Sequence, residues 1–263
     1  MDFFSDLKNK RVVITGACGV IGRWIVQAYQ EAGCAVCLTD TREADLKALA
    51  QSVGIANESF VCAADLTDES GIETLVAEVG KRWGAADVLV NNAGVYPSGF
   101  LLDISTAEFD RIFSINLRAP YILSKGLALQ MIERKVKGSI INISSGASRK
   151  MRRTVVPYCV SKTALDRLTK GFAIELAEFG IRANTLEPGF VAGSAVSALT
   201  DTHIKKTVAN IPLARPTTLD DVRNGLYYLA SDASSFVTGS TLTIDGGNSI
   251  GSLDVHQEKK NPL

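Results

Sequence analysis

The sequence predicts an α/β fold in one domain over residues 1–263: a doubly wound sheet of about seven parallel strands with helices on both faces. Three observations predict it. Short β-rich runs, apolar on both faces, recur along the chain, as strands buried between two helical layers do. Stretches with helical spacing separate them. A glycine-rich loop joins the first strand to the first helix, where such sheets take up a nucleotide.

Arg11–Thr15 is the first strand. The glycine loop follows, then a helix through Trp24–Tyr29 ended by Gly33. Ala35–Thr39 is the second strand, and 43–52 is amphipathic, with Leu46 and Leu49 on one face. Residues 60–63 form a third strand and 69–83 a helix; Val88–Val90 is the fourth strand. A long helical stretch over 106–134 contains Pro120, which predicts a kink or break there. Residues 139–143 are the fifth strand. The helix over 158–178 carries Leu165, Leu168, Phe172 and Leu176 on one stripe. Residues 181–186 are the sixth strand, 219–230 a helix with Asp220 and Asp221 in its first turn, and 241–244 the last strand. The least regular region, 189–218, reads as a substrate lid, and 251–263 as a polar tail.

Composition narrows the function. Lys and Arg total 28, as do Asp and Glu, so the formal charge is zero, and neither nucleic acid nor an anionic membrane is an expected partner. No apolar run has the ~18 residues of a membrane span. The N-terminus, Met1-Asp2-Phe3-Phe4-Ser5-Asp6, has acids where a signal peptide has bases, so a cytoplasmic location is expected. His203 and His256 are the only histidines and both lie in polar stretches, which argues against a zinc enzyme or a Ser-His-Asp hydrolase. Cys34 and Cys37 form a C-x-x-C on a strand, where residues three apart point to opposite faces. The five cysteines read as small buried hydrophobes, and no metal site is expected.

The loop Thr15-Gly16-Ala17-Cys18-Gly19-Val20-Ile21-Gly22 would let a pyrophosphate approach the backbone at a helix N-terminus. Asp40, at the end of the second strand with Thr41 beside it, stands where an acid bonds the adenosine ribose. A carboxylate there repels a 2′-phosphate, so NAD is favoured over NADP, although Arg42 lies close by. Tyr158 and Lys162, four apart on a helix, project from one face. An ammonium near a phenol lowers its pKa, which makes the pair a general acid/base without histidine; alone, such a pair also fits an ordinary helix surface.

Together these residues resemble the short-chain dehydrogenase/reductase family, compact type, over nearly the whole chain. The match runs through the glycine loop, Asn91-Asn92-Ala93-Gly94, Ser145, Tyr158, Lys162, Pro188-Gly189 and a C-terminal stretch ending Asp245-Gly246-Gly247. The resemblance implies hydride transfer between a nicotinamide dinucleotide and a secondary alcohol or ketone. It implies that Tyr158 exchanges the substrate proton, that Lys162 tunes Tyr158 and holds the nicotinamide ribose, and that Ser145 bonds the substrate oxygen. Asn116 matches the residue carrying a water relay to the lysine; it also fits a polar residue that satisfies a kinked helix. Asp65 and Leu66 match the pair beside the adenine, Asn92, Ala93 and Gly94 the loop beside adenine and ribose, and Pro188, Gly189 and Val191 the segment meeting the carboxamide.

Two positions depart from the compact pattern. Gly19 precedes Val20 at the middle-glycine position, and Gly193, followed by Ser194, replaces the usual threonine after the proline. Tyr96, Gly146 and Arg152 are expected at the substrate pocket, with Ser145 and Tyr158. Arg152 belongs to the basic run Arg149-Lys150-Met151-Arg152-Arg153, which suits an anionic substrate or a solvated or subunit-contact face. A sugar, polyol or hydroxy acid is the favoured substrate. Two alternatives are an NADPH-dependent carbonyl reductase and an idle dinucleotide-binding regulator or scaffold. The resemblance also implies a homotetramer or dimer, through the Tyr158 helix and the helix before it.

Overall fold

Seven parallel strands lie in the order β3-β2-β1-β4-β5-β6-β7. The strands are β1 Arg11–Thr15, β2 Ala35–Thr39, β3 Phe60–Val61, β4 Val88–Asn91, β5 Ser139–Ile143, β6 Arg182–Pro188 and β7 Thr241–Ile244. The structure is a computed structural model and describes residues 6–56, 58–193, 200–251 and 253. Met1–Ser5, Ser194 and most of the tail 251–263, with His256, lie outside the described residues.

The helices are α1 Val20–Glu31, α2 Glu43–Val53, α3 Glu69–Trp83, α4 Thr106–Phe113, α5 Ala119–Glu133, α6 Val156–Leu176, α7 Asp201–Ala209 and α8 Leu219–Ala230. Alternation along each strand divides the core in two. Val12 and Ile14 face α1, α2 and α8, where Ile25, Leu46 and Leu226 meet them. Val13 faces the opposite layer of α3, α5 and α6, packed with Leu75, Leu123 and Ala173. Double-sided burial is why β1, β2 and β4 carry apolar residues at nearly every position. Among the described residues, no helix is long and apolar enough to cross a membrane.

The strand order turns back at β1, which pairs with β2 on one side and β4 on the other. That is the switch point, and the crevice above the carboxyl ends of the strands is where such sheets bind ligands. At the opposite edge Arg11 locks β1 to the loop before β4, its Nε 2.8 Å from Asp87 Oδ2.

Several elements depart from expectation. The stretch 106–134 breaks ahead of Pro120: a π-helical turn, Ser114–Arg118, separates α4 from α5. Pro120 supplies the cause, since it offers no N–H to the carbonyl four residues earlier, on Asn116. The strand expected over 60–63 shrinks to two residues at the sheet edge, although Cys62 N still donates to Leu38 O at 3.0 Å. The sixth strand runs on to Pro188, and the helix expected over 158–178 starts at Val156, with Pro157 in its first turn, and gives way to a 3-10 turn at Ala177–Phe179. The region 189–218, expected to be irregular, contains α7, capped by Thr200, whose side chain accepts from His203 N.

Candidate active site

β1 delivers the chain into Gly16, which has φ +63°, and a Cβ there would lie 2.8 Å from Ala93 Cα. A Cβ on Gly22 would sit 2.0 Å from Gly16 O, so the loop closes only if both are glycine. Gly19 carries a different constraint. It is exposed, has an ordinary φ of −69°, and precedes α1 as its N-cap without a side-chain bond. Val20 is the first residue of α1 itself, so the shifted glycine spacing leaves a bare helix N-terminus behind an open surface. No acid occupies the first turn. Uncapped N–H groups and the helix dipole together suit an anion. The residues present therefore fit a dinucleotide pyrophosphate.

Around this loop the expected residues gather. Asp40 accepts from Cys18 N at 3.1 Å through one carboxylate oxygen and from Thr41 N at 2.8 Å through the other. Asp65 holds its own turn, accepting from Thr67 N at 2.9 Å, and Leu66 is buried in the core. Asn92 is a clasp: its amide donates to Thr15 O at 2.9 Å and Gly16 O at 3.1 Å. Its side chain supports the glycine loop directly. Gly94 lies between Asn116 and Lys162, where a Cβ would meet Asn116 Oδ1 at 3.4 Å and Lys162 Nζ at 3.6 Å.

The chemical end forms above β5 and β6. Ser145 caps a short 3-10 turn, its hydroxyl accepting from Ala147 N at 3.2 Å. Its side chain also stands near enough to the Tyr158 phenol, in the first turn of α6, to pull that group's pKa down. Tyr96 stands edge-on to Tyr158, with ring centroids 4.6 Å apart, and the two pack beside Ala147, Val155 and Cys159. Lys162 is buried; its ammonium donates to Ile143 O at 2.8 Å and lies 5.8 Å from the Tyr158 ring centroid.

Burial governs both titrations. It pushes the phenol up to about 12, against the opposing influence of the Ser145 hydroxyl and a smaller pull from Arg152. It pulls the Lys162 ammonium down to about 8, against the favourable charge of Asp166 one turn further along α6. The expected lowering of the phenol by its neighbouring ammonium is thus outweighed, because both groups lose solvent.

Asn116 lies in the π turn and is fully buried. Its side chain accepts from Val95 N at 2.9 Å and donates to Val95 O and to Ser161 Oγ, each at 3.0 Å. It therefore fastens the Gly94 segment to α6 rather than satisfying the backbone of the broken helix. Pro188 ends β6, and a Cβ on Gly189 would approach Asp245 Cα to 2.6 Å. Val191 is half-buried, and Gly193 has φ +85°. Gly146 packs near Ser249. The basic run divides. Arg149 and Lys150 turn onto Glu187 and Asn248 O, Arg153 stacks 5.0 Å from the Phe100 ring centroid, and Arg152 is exposed with its charge felt at Tyr158. Among the described residues, no three His, Cys, Asp or Glu side chains group as a metal would require.

Residues 16–249 match the family model described as enoyl-(acyl carrier protein) reductase. The human L-xylulose reductase is 39% identical over 244 residues, covering 92% of this chain and 97% of that protein. The galactitol 2-dehydrogenase of Agrobacterium fabrum is 32% identical over 254 residues, covering 92% and 98%. The crystal structure of a gluconate 5-dehydrogenase from Burkholderia cenocepacia, in complex with NADP and tartrate, superposes with a TM-score of 0.86 at 30% identity, covering 94% of this chain and 99% of that one. The chain belongs to the short-chain dehydrogenase/reductase family.

Short-chain dehydrogenases bind a nicotinamide dinucleotide and interconvert alcohols and ketones, and this chain is an oxidoreductase of that class. Sequence reasoning missed three residues that build its site. Thr15 Oγ1 accepts from Asn92 N and Ala93 N, each at 2.9 Å, and so hangs the Asn-Ala-Gly segment from β1. Ser161 links Asn116 to Tyr158 O, which it meets at 2.7 Å. Glu187 is a fully buried acid immediately before Pro188. The signal for Glu187 was present: a charged residue near the end of an interior strand requires a partner.

Proposed function

We propose that this protein is an NAD(H)-dependent dehydrogenase/reductase for the secondary alcohol or ketone of a polyol, sugar or hydroxy acid. The observation that carries the reading is the convergence of the Ser145 hydroxyl on the Tyr158 phenol, with the buried Lys162 ammonium behind them. A bound nicotinamide dinucleotide supplies or accepts the hydride.

The chain's own residues handle the oxygen and its proton. Ser145 and Tyr158 present two hydroxyls to one substrate oxygen, which fixes its orientation and stabilises charge developing on it. In the reducing direction Tyr158 donates a proton to the carbonyl oxygen, and a phenol held at about 12 is already in the protonated state this needs. In the oxidising direction the phenol must first ionise, and Lys162 and Arg152 are the cations that favour its anion. Asn116 holds the Gly94 segment against the lysine.

Asp40 supports NAD over NADP: its carboxylate closes on the glycine loop through Cys18 N, where a 2′-phosphate would meet a like charge. The polyhydroxylated substrates in the names of the relatives, with the exposed Arg152 near Tyr158, support a polyol or hydroxy acid substrate. Exposed apolar residues on α5 and α6, such as Leu129 and Ile174, support association through these helices into a dimer or tetramer. The test is a panel of polyols, sugar acids and their ketones read at the NADH absorbance band, with NAD and with NADP. Tyr158→Phe should lower turnover by about 10²–10⁴-fold while leaving NAD affinity within twofold. Retained turnover would refute the assignment.

A further inference from the structure

Glu187 and Arg149 form an ion pair that no part of the proposed chemistry uses. The Glu187 side chain has no exposed surface, and three groups from two elements converge on it. Arg149 Nη2 donates to Oε2 at 2.5 Å, Thr243 Oγ1 to the same oxygen at 2.9 Å, and Ser148 Oγ to Oε1 at 2.6 Å. Ser148 and Arg149 belong to the turn that Ser145 caps. Thr243 lies on β7, directly across from Glu187 in the sheet register. Arg149 Nη2 also reaches Ser249 Oγ at 2.7 Å, and Lys150 Nζ donates to Asn248 O at 2.9 Å. The turn carrying Asn248 and Ser249 is itself pinned by Asp245, which accepts from Gly247 N at 2.9 Å and Ser249 N at 2.8 Å.

A carboxylate is costly to bury, and it persists inside a strand end only where its partners hold it. Here those partners are the substrate-side turn and the neighbouring strand, and the C-terminal turn holds Arg149 in place. Because Glu187 directly precedes Pro188 and Gly189, whatever fixes its side chain fixes the backbone leaving β6. We propose that the Arg149–Glu187 pair is a positioning device: it sets the Ser145 turn against the Pro188–Gly189 segment, and so aligns the substrate oxygen with the nicotinamide half of the cofactor. This rests on the function proposed above. Asp40 and the glycine loop, which would hold the adenosine half, lie toward the other end of the strand order from the pair. Arg149 therefore serves the protein's interior rather than an anionic substrate, and the basic run is divided by role.

The experiment compares dissociation constants for NAD and for ADP-ribose, which lacks the nicotinamide, by calorimetry. In Arg149→Met the NAD constant should rise about tenfold while that for ADP-ribose stays within about twofold, a difference large enough to measure as binding energy. Because that variant leaves Glu187 buried without its counter-charge, the double variant Arg149→Met/Glu187→Gln is measured beside it. The double variant should recover the thermal midpoint yet keep the selective loss for NAD, whereas Arg149→Lys, which keeps a cation, should lose less. If both ligands weaken equally in the double variant, or neither weakens, the pair only stabilises the fold and the proposal is overturned. If the wild-type protein binds neither ligand, the proposed function itself falls and takes this inference with it.

Discussion

Replacing Lys162 by methionine should stabilise the unliganded protein while removing its activity. Lys162 is only 4% exposed, and its ammonium has one hydrogen bond in the structure, to Ile143 O at 2.8 Å. Burial lowers it from 10.5 to about 8, with the help from Asp166 already counted. That difference corresponds to about 3 kcal/mol of destabilisation at neutral pH. Methionine fills a similar volume without charge, and the Ile143 carbonyl loses a partner worth about 1 kcal/mol. The net expectation at pH 7 is a gain of about 2 kcal/mol, on the order of 4–8 °C in thermal midpoint for a chain of this size.

The pH dependence fixes the sign. Below pH 8 the lysine is charged in both the folded and unfolded states, and the full cost of burying it applies. Between about 8 and 10.5 the unfolded chain binds the proton that the folded one has released, so wild-type stability gains on the variant as pH rises. At pH 10.5 the variant's advantage should be gone. Cys34, which burial raises to about 12, costs both proteins stability above pH 9 and cancels in the comparison. Urea unfolding followed by fluorescence of Trp24 and Trp83, at pH 7 and 10.5 without dinucleotide, measures the difference. A variant less stable than wild type at pH 7 would show that the folded protein does not bear the cost of a buried ammonium, and the reasoning would fail.

Other expectations are equally direct. Asp40→Ser should shift kcat/KM toward NADP by about 20–200-fold, since a carboxylate ~5 Å from a phosphate charge at an effective dielectric of 20–40 costs about 2–3 kcal/mol; an unchanged NADP/NAD ratio would remove Asp40 as the selector. Gly22→Ala should abolish dinucleotide binding or soluble folding, because its Cβ would lie 2.0 Å from Gly16 O, whereas Gly19→Ala, 3.4 Å from the same atom, should melt like wild type. Thermal melts and NAD titrations of the two variants separate these outcomes. Arg152→Ala should raise KM for carboxylated substrates about tenfold or more and leave neutral polyols unaffected, and equal effects on both classes would argue against an anion contact.

What the sequence made legible was whatever depends on local spacing. Tyr158 and Lys162 could be placed together because they share one helix, and Gly16 and Gly22 because they share one loop. Asp40 could be placed at that loop because the first helix and second strand are short and regular. The break before Pro120 was foreseen, but not that it would take the form of a π turn around Asn116, because that depends on Val95 and Ser161 arriving from elsewhere. The upward shift at Tyr158 was not legible for the same reason. Spacing puts an ammonium near a phenol, but only packing reveals that both are dry, and desolvation then exceeds their mutual influence.

The same limit explains the polar layer beneath the site. β4, β5 and β6 each carry a buried polar side chain, Asn91, Asn142 and Thr185, and no single strand shows what these meet. In the sheet, Asn91 pairs in register with Asn142 and Asn142 with Thr185, so the three form one row across the strands. Asn91 Nδ2 donates to Asn142 Oδ1 at 2.8 Å and to Ser124 Oγ at 3.0 Å, Asn142 Nδ2 donates to Thr169 Oγ1 at 2.8 Å, and Thr185 reaches the same threonine at 3.2 Å. A buried row of this kind is stable only when each member is satisfied, so it permits few alternative placements of α5 and α6 on the sheet. Thr169 sits on α6, two turns beyond Lys162, so the row fixes the height at which Tyr158 and Lys162 emerge above the strand ends. The catalytic spacing is thus written in one helix, but its placement is written in a cross-strand register that no single segment displays.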